Sequence, residues 1–355
     1  MEKPRDKVFY RKDSQTNILY NRKDRERPRP RSRSVYTSKS HNSDNSGSLR
    51  DSKSYEGVVP WLSRSISNKN IFIDDYNVCS VMIVMFRVFF KVGICCSMIY
   101  IMRTPLICVS PLGVITLRLH DRVRVDISLD RAVRIINARS GIVIALSASG
   151  SSAALMHPNG RVYQYGSRVE ILAHDPHGNN KYAKMWYKGV SFTSDQCALV
   201  YLVDSAGTRT TTDTFSDLNV DFSISVFCSE SPYGDGNVGQ NLINEAVNLL
   251  QSSTYWVSDD GTSNWLINNV RVSQTTDGLV RVGRNSNKFS LHTSPSNGSA
   301  RISSPFLHCT GSMGQTRHLF VRRGERRMHY DGASFIVRNA GHSAGFDDKH
   351  QLKVY

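Results

Sequence analysis

The chain has 355 residues, a formal net charge of +15 and seven cysteines. That length has room for two compact domains plus unstructured segments. The cysteines show neither the two-residue spacing of a zinc knuckle nor a dense framework, which argues against a disulfide scaffold and for a reduced intracellular compartment, cytoplasmic or alternatively nuclear.

The charge is uneven along the chain. Residues 1–54 hold fifteen Lys or Arg against seven Asp or Glu, 55–252 seventeen against sixteen, and 253–355 thirteen against seven, so the excess sits at the two ends. The first residues, Met-Glu-Lys-Pro-Arg-Asp-Lys, lack the apolar run of a signal peptide. Residues 1–57 are rich in Arg, Ser, Asn, Asp and Lys and poor in aliphatic side chains. They cannot bury enough surface to offset the entropy of ordering, so a disordered basic head is expected. Its densest tract, 25–34, alternates arginine with proline and serine. Such a tract suits a nuclear address, a phosphate-binding arm or a kinase substrate, or is simply a solvated tail.

A linker is expected over 58–112, containing the hydrophobic stretch 78–102. That stretch is long enough to span a bilayer. Its twelve Val, Ile or Phe residues contribute roughly −5 kcal/mol, while the central Arg87 and Lys91 cost about +2.5 to +3.5 kcal/mol each on the same insertion scale. The sum is near zero, leaving three readings: a marginal membrane helix that would tether the protein, a buried or partner-covered helix, and a stretch outside the functional fold.

From residue 113 the pattern has period two. Val123, Val125, Ile127 and Leu129 fall on one face of a strand. Further strands are expected at 133–136, 142–147, 152–156, 162–165, 169–173, 182–187, 198–203, 209–215 and 222–228, joined by short turns that favour a meander. Val238, Leu242, Ile243, Ala246, Val247, Leu249 and Leu250 have the spacing of an amphipathic helix over 237–252, capped by Asn237 and covering the preceding sheet. Residues 113–252 are therefore read as a β-meander with a C-terminal helix.

Residues 253–355 are read as a second β unit, either separate or an extension of the first sheet. Val270 and Val272 are expected to face Val280 and Val282, Phe289 and Leu291 to approach Ala300 and Ile302, and 319–322 to pair with 328–330, ahead of a last strand at 334–338. Asn159-Gly160, Asp260-Gly261, Asp277-Gly278, Asn297-Gly298 and Asp331-Gly332 punctuate the β region with a strong hairpin signal. The fold class is thus mostly β: an antiparallel meander with one covering helix plus a second β-hairpin unit, preceded by a disordered basic head.

Gly341-His342-Ser343-Ala344-Gly345 matches the G-x-S-x-G nucleophile elbow. An elbow needs a following helix and then an acid and a histidine on separate loops, and only ten residues remain, so a Gly-rich terminal turn is the expectation and a serine hydrolase the remote alternative. His292, His308, Cys309, His318, His329, His342 and His350 lack the short paired spacings of a zinc site, so no metal or other cofactor is expected. The tip 322–327 would present Arg322, Arg323, Arg326 and Arg327, whose forks suit carboxylates and phosphates. Trp186 and Tyr187 end a strand where an exposed aromatic could anchor a partner, although the usual place of such residues is the core.

The expected function is therefore that of a non-enzymatic intracellular binding or scaffold protein that contacts an acidic protein partner through the Arg-rich tip, with Trp186 and Tyr187 as further partner-binding candidates. Nucleic-acid binding through the basic head and C-terminal basic patch is the alternative, disfavoured because aromatics are not interleaved with the basic residues.

Overall fold

The computed structural model describes residues 106–231 and 240–355. The basic head 1–57, the hydrophobic stretch 78–102 and Asn237 lie outside the described residues.

The first meander contains β1 (Leu106–Val109), β2 (Ile115–Arg118), β3 (Val123–Ile127), β4 (Val133–Asn137), β5 (Ile142–Leu146) and β6 (Ser152–His157). It continues through β7 (Gly160–Tyr165), β8 (Arg168–Ala173), β9 (Lys181–Trp186), β10 (Gly189–Ser194), β11 (Val200–Asp204) and β12 (Gly207–Thr211). Two helices follow, α1 (Ser223–Cys228) and α2 (Gln240–Gln251). The second meander begins with β13 (Thr254–Val257), β14 (Ser263–Ile267), β15 (Val270–Gln274), β16 (Val280–Arg284), β17 (Phe289–Thr293) and β18 (Ala300–Ser303). It ends with β19 (His308–Ser312), β20 (His318–Arg323), β21 (Arg326–Tyr330), β22 (Phe335–Asn339), β23 (His342–Phe346) and β24 (Leu352–Val354). Each strand pairs with the next, giving two 12-stranded antiparallel sheets in strict sequence order.

Alternation puts one apolar row of each sheet inward. Val123, Val125 and Ile127 of the first sheet and Val272, Val282 and Leu291 of the second all belong to a single buried core. At about 1.5–3 kcal/mol for each fully buried aliphatic side chain, this shared layer is the main favourable term. The meanders run alongside each other in the same order: β5 contacts β18, β10 contacts β22 and β12 contacts β23.

For the second sheet to start beside the start of the first, the chain must return from β12. Residues 212–231 make that return as a strap across the outer face of the first sheet. Asp213 Oδ1 accepts from Lys184 Nζ of β9 at 2.5 Å, Ser216 N–H donates to Glu170 of β8 at 2.8 Å, and the Leu218 carbonyl accepts from Arg161 of β7 at 2.9 Å. Phe222 then stacks on Tyr163 at 4.4 Å between ring centroids, and Glu230 accepts from Ser147, Ser149 and Ser151.

The strap corrects one expectation. Residues 222–228 alternate like a strand, yet 223–228 form α1, which packs on β4, β5 and β6. Phe222 and Val226, four apart, pack with Ala145 and Ala154, whereas Ile224 is left exposed. Tertiary burial outweighs local pattern here. The expected amphipathic helix is present as α2, but it lies against β1 at the sheet edge, where Ala246 and Leu250 join the core. A further correction is that β1 arises from the stretch read as linker. β2, β10, β13, β14, β19, β23 and β24 also escaped the sequence reading.

The five Asn-Gly and Asp-Gly dipeptides named above fall at hairpin connections, in two ways, while a sixth, Asp235-Gly236, lies outside the described residues. Gly261, Gly278, Gly298 and Gly332 take positive φ within the turns (+77°, +86°, +60° and +98°), which suits glycine. Gly160 instead begins β7, opposite His157, and the turn is Pro158-Asn159. Asn159 is fully buried and stitches the sheets: its Nδ2 donates to the carbonyls of Ser312 (2.7 Å) and His318 (2.9 Å), and its Oδ1 accepts from Arg317 Nε (2.8 Å). Beside it, His157 Nε2 donates to the Gly298 carbonyl at 2.9 Å while Nδ1 accepts from Asn159 N–H at 3.1 Å. Both ring nitrogens are committed to the neutral tautomer, and burial holds the pKa below 6.5.

Removing the Asn159 side chain leaves its three partners unsatisfied between the sheets, so Asn159→Ala should cost about 2–3 kcal/mol in urea unfolding. An unchanged midpoint would show that the stitch contributes nothing. Because the folded pKa of His157 lies below its unfolded value, its contribution is complete above about pH 6.5 and is lost as pH falls through the folded value. Stability should therefore drop between pH 7.5 and 5.0, with a shallower drop in His157→Gln.

Candidate functional site

No strand of the second sheet contains Asp or Glu; all seven acidic residues of 253–355 lie in turns and connections. The strand positions facing away from the core carry Arg271, Arg281, Arg301, Arg322, Arg327 and Arg338, all exposed. The register aligns them in two rows. One runs Arg281, His292, Arg301, Thr310, Phe320, His329. The other runs Ser303, His308, Arg322, Arg327, Arg338, Ser343.

Directly opposed side chains have Cβ atoms about 4.5–5.5 Å apart, and like charges at that spacing destabilise a sheet. Arg322, Arg327 and Arg338 stand three abreast under this repulsion. The face also has relief, because Gly283 interrupts its row and leaves a groove of about 450 Å³ lined by Arg271, Arg281, Arg301, His292, Ser290 and Asn287. His292 and His308 are held below the usual imidazole value by burial, with neighbouring arginines adding to the effect, and His329 is lowered chiefly by burial.

The outer face of the first sheet differs. Arg134 bonds Ser223 and lies 3.5 Å from Asp221, Lys184 pairs with Asp213 at 2.5 Å, and Arg124 pairs with Asp126 at 2.8 Å. These three cations are matched with carboxylates, two of which the strap supplies, and Arg161 is held by strap carbonyls.

The four tip arginines do not form one cluster. A two-residue turn, Gly324-Glu325, joins β20 to β21, with Gly324 at φ +57°. Alternation then sends Arg322 and Arg327 to the outer face, and Arg323 and Arg326, paired across the strands, to the side facing the first sheet. There Arg326 Nη2 donates to the Tyr187 carbonyl at 3.4 Å. Tyr187 is 74% exposed in the β9–β10 turn, so two candidates from different sheets meet. Trp186 is half-buried, donates to Ser191 at 3.0 Å and lies under the ammonium groups of Lys184 and Lys188.

The remaining motifs resolve separately. Residues 342–345 of the pentapeptide belong to β23, with Ser343 opposite Arg338, and the chain continues extended to Phe346. This replaces the expected terminal turn with a strand, and supplies no helix behind the serine. Gly345 is required for space, since a Cβ there would lie 1.9 Å from the Phe335 carbonyl oxygen. Among the described residues no group of three or more His, Cys, Asp or Glu is placed to hold a metal. No described helix is long and apolar enough to cross a membrane.

The outer-face rows escaped the sequence reading because each depends on register across six strands. A usable signal existed in the absence of acids from every strand after residue 253.

No curated protein matches the chain. Among solved structures it resembles the TCP10 domain of Danio rerio CPAP, in complex with a peptide of Danio rerio STIL, at 12% identity over 68% of this chain and 98% of that one, with a TM-score of 0.20. It also resembles the TCP10c domain of Drosophila melanogaster Sas-4, at 9% identity over 66% and 98%, with a TM-score of 0.15. Scores this low carry no functional argument. The family assignment rests instead on residues 105–352, which span both sheets from just before β1 into β24 and match the model described as Domain of unknown function (DUF8796): the chain belongs to that family.

Proposed function

We propose that this protein is a non-catalytic binding or scaffold module whose second sheet receives an acidic protein partner on its outer face. The observation carrying this reading is an exposed sheet face with six arginines and no carboxylate in its strands, whereas Arg124, Arg134 and Lys184 of the first sheet are paired with carboxylates. A repulsive row such as Arg322, Arg327 and Arg338 is relieved when a partner supplies negative charge, so affinity gains from a cost already present in the free protein.

Phe320 is the aromatic strand residue in these rows. Single-stranded nucleic acid would be expected to use several stacking platforms, which favours an acidic polypeptide. A cytoplasmic location belongs to the same reading and is supported by the unpaired thiols of Cys108, Cys197, Cys228 and Cys309. The non-catalytic reading is supported by the extended backbone around Ser343.

Polyglutamate should bind the full chain with a strong salt dependence, and Arg322→Ser with Arg327→Ser and Arg338→Ser should weaken it about tenfold or more. Tighter binding to a mixed-sequence RNA than to polyglutamate at equal salt would reverse the partner class. Acidification from pH 7.5 to 5.5 should tighten polyglutamate binding, because His292, His308 and His329 become cationic on this face as pH falls through their lowered values. Affinity independent of pH would place the ligand elsewhere.

A further inference from the structure

On the core-facing side of the β20–β21 tip lies a second, smaller cleft of about 350 Å³, separate from the outer face. Pro305, Phe306, Arg323, Glu325, Arg326 and Asn339 line it. Arg323 and Arg326 are directly opposed across the strands, so two guanidinium groups share one narrow space. Neither has its hydrogen-bonding capacity filled: Arg323 Nη1 and Arg326 Nε are buried and without a partner among the described residues. Glu325 forms no ion pair with either arginine among the described residues, although it lines the same cleft. Burial and the neighbouring Arg326 both disfavour charge on Arg323.

A buried donor left unsatisfied is costly, more so when it is charged. Two together, on opposed arginines that both line a cleft, point to a missing acceptor that can accept from both. A carboxylate is planar, has two oxygens with about four acceptor positions and fits guanidinium forks in bidentate fashion. A phosphate dianion would bring a second negative charge next to Glu325. The walls also define what accompanies the anion. Phe306 in the wall is 46% exposed, and Arg326 is tied to the first sheet by its hydrogen bond to the Tyr187 carbonyl. Asn339 donates from Nδ2 to the Val203 carbonyl at 3.1 Å, fixing the cleft floor to the first sheet.

We infer that Arg323 and Arg326 form a carboxylate-binding site, which takes an Asp or Glu side chain of the partner with a neighbouring apolar side chain against Phe306. The inference rests on the acidic-partner reading above for the identity of the occupant, while the site itself is distinct from the outer face. A partner engaging both would wrap the tip hairpin, placing acidic residues on each side of it.

The test is a titration of the full chain, arginine-labelled with nitrogen-15, with succinate, succinamide and inorganic phosphate, following the arginine Nε–H signals. Saturable movement of the Arg323 and Arg326 signals with succinate, and none with succinamide, is the expected result. Arg323→Gln should weaken the response of Arg326 about tenfold or more, and Arg326→Gln should do the same to Arg323. The double change Arg322→Ser with Arg327→Ser should leave the succinate response within about twofold, because those side chains lie on the opposite face.

Equal responses to succinate and succinamide would overturn the inference, as would saturation by phosphate at a lower concentration than succinate. Equal movement of the Arg322 and Arg327 signals would show only nonspecific attraction and would also overturn it. The same samples separate the two proposals. Loss of polyglutamate binding in the outer-face variant with an intact succinate response supports both. An intact succinate response in a protein that never binds polyglutamate sinks the outer-face reading alone.

Discussion

Mutual burial of two apolar sheet faces is the interaction on which this fold depends. Neither meander could expose a twelve-strand row of Val, Ile, Leu and Phe to water, and a sheet is stable only when its hydrophobic face meets another layer. Stacking one meander on the other supplies that layer. Polar stitches then fix their relative position. Asn137 donates to Thr293 Oγ1 at 3.0 Å, Asn159 holds two carbonyls of the second sheet, and Arg284 reaches from β16 to the carbonyls of Arg131 and Ser147. Lys181, fully buried, donates to Asp175 at 2.6 Å and to His350 Nδ1 at 3.1 Å from the β23–β24 turn. Sliding one sheet by a strand would break all of these contacts together. Hydrophobic burial drives the stacking and the polar groups select its register.

Stacking in the same order determines how the two outer faces are used. Twelve strands carry the chain to the far side of the first sheet, and only a return across that sheet can start the second beside β1. The strap that makes the return lies on the first sheet's outer face, where it brings Asp213, Asp221 and Glu230 against basic and hydroxyl side chains. Among the described residues, no comparable strap crosses the outer face of the second sheet. Among the described residues that face is left uncovered, and its strands contain no acids to neutralise their arginines.

Local signals were the readable part of this sequence. The Asp-Gly and Asn-Gly turns placed the hairpins, and period-two alternation placed most central strands, including the Val272–Val282 and Leu291–Ile302 pairs. Signals that depend on distant partners were not readable. The strand-like stretch at 223–228 becomes helical because Phe222 and Val226 have Tyr163, Ala145 and Ala154 to pack against. Asn159 resembled an ordinary turn residue until Ser312 and His318 lay beside it. In β10, Val190 and Phe192 alternate with Ser191 and Thr193, but the strand opens on Gly189 directly after the turn, so a turn signal overlies its alternation. Of the site, the composition of the tip was legible and its geometry was not.

That geometry follows from period two and the length of one turn. In a two-residue hairpin the residues flanking the turn pair directly, and those one step further out pair on the opposite face. Arg323 and Arg326 must therefore share one side, and Arg322 and Arg327 the other. Four arginines that resemble a single cluster in sequence fall into two pairs with different surroundings. The outer pair sits in solvent within an extended row, where attraction is long-ranged and weakened by salt. The inner pair is partly desolvated in a cleft with aromatic groups nearby, where an acceptor at the correct distance gains more per hydrogen bond. On the proposed reading the first arrangement would capture a partner and the second would retain it, and one short hairpin offers both because its side chains point alternately in two directions.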